Sequence, residues 1–98
     1  MIPGISKATL WQTPTGAYGA FTRCSPNTQN PLHTHSHDIK MVIISGTWNY
    51  GTDSGLSKLG AGSYLVVPGG RKHTSGCGPD GALFFEQSDA AFDMTPAK

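Results

Sequence analysis

The chain has 98 residues, with 13 glycines and 7 prolines, only 13% charged residues and a formal net charge of +1. Turn formers at about twenty in a hundred, against about 12% in ordinary usage, exclude a helical bundle or coiled coil. Near-zero charge with 9% aromatics excludes a disordered chain and leaves no electrostatic footprint for nucleic acid or an anionic membrane.

Short apolar runs alternate with turn clusters along the whole chain. Ala8 to Gln12 reads as a strand closed by Thr13-Pro14-Thr15-Gly16, and Ala17 to Arg23 as a second. Leu32 to His35 is extended. Ile39 to Ser45 is the strongest strand, β-branched and apolar, and ends at Gly46, where a sharp turn is expected. Thr47 to Tyr50 continues, then Gly51 to Gly55 turns the chain into the short Leu56 to Leu59. Ser63 to Val67 is stopped by Pro68-Gly69-Gly70. Lys72 to Ser75 is short, and Ala82 to Gln87 is the last strand. Asp89 to Met94 is the one stretch with any helical character. Strands at this spacing indicate an all-β sandwich or barrel.

No apolar run approaches a membrane span; the longest aliphatic stretch is Met41 to Ile44. The opening Met1-Ile2-Pro3-Gly4 lacks the apolar core of a signal peptide, so a cytoplasmic location is expected. Cys24 and Cys77 are enough for one bridge, but free thiols in a reducing compartment are the expectation.

Three of the four histidines, His33, His35 and His37, fall within five residues, and the fourth is His73. On an extended segment, positions i, i+2 and i+4 share one face, so their imidazoles converge. Neutral imidazole is the commonest metal ligand and suits first-row ions. A third ligand must come from elsewhere in the chain, where His73 is the one other histidine. On the run alone, a native metal site and a solvated turn that picks up metal adventitiously stand side by side.

The spacing around the run carries a resemblance. Pro31-Leu32-His33-Thr34-His35 is followed by Ile39 and Gly46; Gly62 is followed by Pro68, Gly70 and His73. These resemble the two motifs of the cupin superfamily, in particular its small single-domain members of unknown function. The resemblance implies an all-β jelly-roll barrel, or double-stranded β-helix, of two antiparallel sheets. Residues 1–98 form its single domain, with the core motifs in 31–77 and a C-terminal tail in 89–98. It implies a divalent transition metal, Fe, Zn, Mn or Ni, held by His33, His35 and His73. Two positions depart from the pattern. Ile39 or Lys40 stands where the motif has a glutamate, leaving His37 as the expected fourth ligand, with Asp38 behind it. Cys77 stands where the motif has an asparagine and is assigned to the pocket wall.

Met41 and Ile43 share the parity of Ile39 and are expected to line the pocket. Glu86, acidic within the apolar Ala82 to Gln87 strand, is a candidate base or replacement carboxylate. Trp48, Tyr50 and Tyr64 are assigned to the core or a dimer surface, and Arg71 and Lys72 to the barrel rim. The implied function is binding of, or metal-dependent chemistry on, a small organic molecule. Dioxygenase-like chemistry is the first form, zinc-type hydrolysis or lyase chemistry the second, and a non-catalytic ligand- or metal-binding module the alternative. A homodimer through Ile5 to Trp11 is expected, because an uncovered edge strand invites pairing.

Overall fold

The computed structural model describes residues 3–98; Met1 and Ile2, and with them the start of the segment read above for a signal peptide, lie outside the described residues. The described residues form eight strands and no helix: β1 (Ile5–Gln12), β2 (Tyr18–Cys24), β3 (Gln29–Thr34), β4 (Ile39–Thr52), β5 (Gly55–Leu59), β6 (Tyr64–Val67), β7 (His73–Ser88) and β8 (Thr95–Pro96). The segment expected to hold a helical turn, Asp89 to Met94, is irregular chain.

All pairing is antiparallel and belongs to one continuous sheet that does not close. The two expected sheets are two layers of it, joined by the long strands β4 and β7. The later half of β7 pairs with β2 on one side and the first half of β4 on the other; β1 and β6 flank them. The first half of β7 pairs with β3 and with the second half of β4, flanked by β8 and β5.

Gly46 is therefore not a turn. It lies inside β4, next to register shifts at Ile43/Ser45 and Gly46/Trp48. Such bulges bend a strand without ending it. Its φ of 76° and the Gly81 carbonyl oxygen, which a Cβ would run into, both require glycine. Across from it, β7 passes through Gly76, Gly78, Pro79 and Gly81, the segment read from sequence as a break between two strands.

Strict alternation builds the core. In β4, Ile39, Met41 and Ile43 turn inward while Lys40, Val42 and Ile44 turn out. Val67, Phe84, Ala82 and Trp48 close against them. Each buried aliphatic side chain contributes ~1.5–3 kcal/mol. The core is small, and a covalent tie supplements it. Cys24 at the end of β2 is disulfide-bonded to Cys77 on β7, so the expected free thiols are replaced by a bridge between the layers. Both cysteines are about 2% exposed or less.

The bridge spans a sequence separation of 53 residues. A loop of that length is worth about 4 kcal/mol of unfolded-state entropy. The Cys24→Ala/Cys77→Ala protein is accordingly expected to lose about 2–4 kcal/mol in urea unfolding. An unchanged midpoint contradicts a structural role for the bridge.

Candidate metal centre

His33 and His73 face each other as direct cross-strand partners on β3 and β7, and His35 follows at the end of β3. The three are 2%, 1% and 8% exposed for His33, His73 and His35. Their ring centroids stand 4.2–5.0 Å apart, and one ring nitrogen of each lies within 4.8 Å of the others.

Each imidazole is held by its other nitrogen. His33 Nδ1 lies 2.6 Å from the Pro31 carbonyl, His35 Nδ1 2.6 Å from the Asp93 carbonyl, and His73 Nδ1 2.9 Å from the Arg71 carbonyl. A carbonyl oxygen only accepts, so Nδ1 carries the proton in all three rings. The Nε2 lone pairs are left bare and directed at one another.

Burial pushes His73 down to about 4, with the neighbouring His33 and His35 adding to the shift and the Arg71 carbonyl opposing it. Burial lowers His35 as well, against the Asp93 carbonyl. Both rings are neutral at pH 7, the form a metal needs.

His37 does not join them. The chain leaves the sheet after Thr34 and bends at Ser36–His37, which breaks the parity of an extended strand. His37 is exposed. The bend is pinned on both sides: Asp93 Oδ1 accepts the Ser36 N–H at 2.7 Å, and Asp38 Oδ1 accepts the Gly69 N–H at 2.7 Å. Asp38 is thus occupied in the turn. Gly69 packs against the Ser36 carbonyl and His37 Cα, and the Gly70 N–H donates to the His35 carbonyl at 2.7 Å. This is how the Pro68-Gly69-Gly70 turn places His73 beside His35.

The imidazoles line a cavity of about 50 Å³ with Met41, Trp48, Phe84 and Glu86. That volume exceeds the ~10–15 Å³ needed for one water. Ile39, at the motif's glutamate position, lines it with an apolar side chain. Ile43 and Cys77 are not part of the wall: Ile43 is packed in the core at 1% exposure, and Cys77 is tied to Cys24.

Glu86 is 3% exposed and faces the cavity, but lies outside the histidine cluster. Its carboxylate accepts from Tyr18 Oη at 2.8 Å and from Thr22 Oγ1, and pairs with Lys7 Nζ at 2.9 Å. Burial, then the Glu86 charge, pushes the Tyr18 phenol up, so it remains a donor. Lys7 Nζ also lies 3.5 Å from the centroid of the Phe92 ring, a cation–π contact. Phe92 in turn stacks on His35 at 5.2 Å.

Lys7, Tyr18, Thr22, Phe92 and Asp93 escape a motif search. Lys7 and Thr22 carry one local signal: each sits on the inward parity of its strand, beside Ile5 and Ala20. Phe92 and Asp93 carry none, because the tail reaches the site through β8, whose Thr95 and Pro96 pair with Thr34 and His33. Arg71 and Lys72 are turned away, toward Asp53 and the Lys98 carbonyl.

Histidines whose folded pKa lies below the unfolded ~6.5 hold fewer protons folded than unfolded between those two values. Stability from neutral His35 and His73 is full above about pH 6.5 and falls as the pH drops toward 4. The metal-free protein is expected to melt several degrees lower at pH 5 than at pH 7.5. A melting temperature that is flat over this range contradicts the burial of neutral rings.

Comparison with known proteins agrees with this fold. No curated protein sequence matches. Among solved structures, a protein of unknown function from Rhizobium leguminosarum bv. viciae has TM-score 0.79 and 18% identity, over 91% of this chain and 84% of that one. The polyketide cyclase RemF from Streptomyces resistomycificus has TM-score 0.82 and 19% identity, over 98% and 72%. Salicylate 1,2-dioxygenase from Pseudoaminobacter salicylatoxidans, in a structure with gentisate adducts, has TM-score 0.76 and 16% identity, over 90% of this chain but only 25% of that one. At such identities the likeness is one of fold, the double-stranded β-helix. The sequence itself matches the family described as the ChrR cupin-like domain over residues 1–91, and the chain belongs to that family.

Proposed function

We propose that His33, His35 and His73 hold a divalent first-row transition ion through Nε2, and that the ion and the cavity beside it bind and turn over a small oxygen-bearing organic molecule. The observation that carries this reading is the set of three Nδ1–carbonyl bonds, which leaves three neutral, bare nitrogens converging within 4.8 Å. Outer-shell bonds of this kind fix ring orientation in metal sites and raise ligand basicity.

Ile39 in place of the motif glutamate makes the donor set uncharged. An ion held there keeps its full charge and favours an anionic oxygen ligand in its open positions. When bound, it supplies Lewis-acid polarisation or, as iron, redox chemistry of the dioxygenase type. The protein's own part is to keep the site dry and charge-balanced. Phe92 and Met94 cover it from the tail, and Lys7 neutralises Glu86. Two neighbours of the same fold, a polyketide cyclase and a dioxygenase crystallised with gentisate, support a small-molecule substrate.

The second reading, a module that binds ligand or metal without turnover, is favoured by one observation: among the described residues no carboxylate joins the cluster. The Cys24–Cys77 bridge bears on location. Structural disulfides persist in oxidising compartments, which counts against the cytoplasmic expectation. Among the described residues no helix is long and apolar enough to cross a membrane.

A homodimer is part of the proposal. Ala8, Phe21, Phe85, Val42 and Tyr64 are successive cross-strand partners on the outer face of the layer that ends in edge strand β1. Phe21, Val42 and Tyr64 are 40%, 40% and 61% exposed. The row crosses roughly 20 Å of sheet. A second copy laid on it meets the same apolar patch, as two-fold pairing requires.

Elemental analysis of untagged protein is expected to find about one equivalent of Fe, Zn, Mn or Ni, lost in His35→Ala and His73→Ala. Absence of metal, or full retention in both variants, contradicts the centre. Oxygen uptake by the iron-loaded protein with diketones and hydroxy acids separates turnover from mere binding. Light scattering at micromolar concentration is expected to give twice the 10.3 kDa chain mass, and the monomer mass for Phe21→Lys/Val42→Lys. A monomeric parent protein overturns the dimer.

A further inference from the structure

Among the described residues, two buried side-chain polar atoms have no hydrogen-bond partner: Trp48 Nε1 and Asn49 Oδ1. Of these two residues, Trp48 lines the cavity. It is 6% exposed and packs on Phe84 with ring centroids 4.7 Å apart. Buried indole N–H groups ordinarily find an acceptor, and an orphan calls for an explanation.

Two of the residues that could accept from this N–H on the cavity wall, Glu86 and Ser75, are engaged elsewhere. Both Glu86 oxygens are taken by Tyr18, Thr22 and Lys7. Ser75 Oγ accepts from Asn30 Nδ2 at 3.0 Å. A phenylalanine at position 48 would fill the same wall with no N–H to satisfy. Trp48 therefore brings to the cavity wall a donor that the protein itself leaves unmatched.

From this we infer that Trp48 Nε1–H is the anchoring donor for the ligand, and that the ligand is a flat, largely apolar molecule with an accepting oxygen at that point: a carbonyl, carboxylate or enolate. The inference deepens the proposed function and rests on the reading of this cavity as the ligand site. Position follows from strand geometry. Tyr50 shares the inward face of β4 with Trp48, ~7 Å further along. Its ring lies 5.3 Å from that of His73. The accepting oxygen and the imidazole pole thus belong to one cavity. A second oxygen of the same molecule is available to that pole. The walls between the two, Met41, Phe84 and Ile39, offer only apolar contact. Trp48 is in this sense a specificity residue: a molecule without the accepting oxygen leaves a buried donor unpaired, which is how polar sites reject analogues.

The test reads the indole directly. The protein holds two tryptophans, and Trp11 is 45% exposed, so a Trp11→Phe variant assigns the Trp48 side-chain resonance in a 15N-labelled sample. Acetylacetone, benzoate and lactate are titrated into zinc-loaded and metal-free protein. The expected result is that at least one probe moves the Trp48 indole proton downfield and slows its solvent exchange. Trp48→Phe then weakens that probe about tenfold, the loss of one hydrogen bond of ordinary strength. A probe that binds without moving the resonance overturns the inference. So does equal affinity for Trp48→Phe, or failure of all three probes to bind. Failure to take up zinc sinks the metal centre alone, since the metal-free titration still returns one of these results for Trp48.

Discussion

Three hydrogen bonds from imidazole Nδ1–H to backbone carbonyls are the constraint on which the site depends. For His33 and His73 the acceptor is the carbonyl two residues earlier, Pro31 and Arg71, so strand and turn orient their own side chains. His35 is different. Its acceptor is Asp93, 58 residues later, brought in by the tail. Two rings of the cluster are thus placed by local chain, and the third by the tail. The same tail supplies Phe92 and Met94 as cover, and its Asp93 side chain holds the bend that turns His37 away. The orientation of His35, part of the cavity wall and the bend at His37 all pass through one short segment.

Behind the rings, the charges are arranged to cancel. The three histidines form one pole and the Lys7–Glu86 pair another, with apolar side chains between them. A buried carboxylate needs both a counter-charge and donors, and Glu86 has them in Lys7, Tyr18 and Thr22. That arrangement engages both Glu86 oxygens within the wall. The scaffold that holds these poles apart is thin. It relies on two long strands bent at glycine bulges, and on a disulfide between the layers where a larger protein would rely on core volume alone.

Much of this was legible in the chain itself. His33 and His35 at a spacing of two, with Gly62, Pro68, Gly70 and His73 downstream, indicated both the fold family and the convergent rings. Alternation placed Met41 on the cavity and Ile39 at the vacant glutamate position. What failed did so for one physical reason: local pattern does not report partners. Gly46 looks the same in a turn and in a bulge, and only the Gly81 carbonyl across the sheet decides which. His37 keeps strand parity in sequence, yet Asp93 and Gly69 pull its neighbours out of the strand. Ile43 has the right parity, but the bulges after it place it in the packed core rather than on the wall. Cys24 and Cys77 carry no spacing signal, because β2 and β7 meet only in the folded sheet. Lys7 and Glu86 belong to strands at opposite ends of the chain for the same reason.

The central claim is that His33, His35 and His73 are each protonated at Nδ1 and open at Nε2. Long-range 1H–15N correlation of the histidine rings, in metal-free protein at pH 7.5 and after one equivalent of zinc, tests it most directly. The account predicts the Nδ1–H tautomer for all three rings before zinc and a shift of all three Nε2 resonances after it, with His37 unmoved. An Nε2–H tautomer in any of the three, or Nε2 resonances indifferent to zinc, would contradict it.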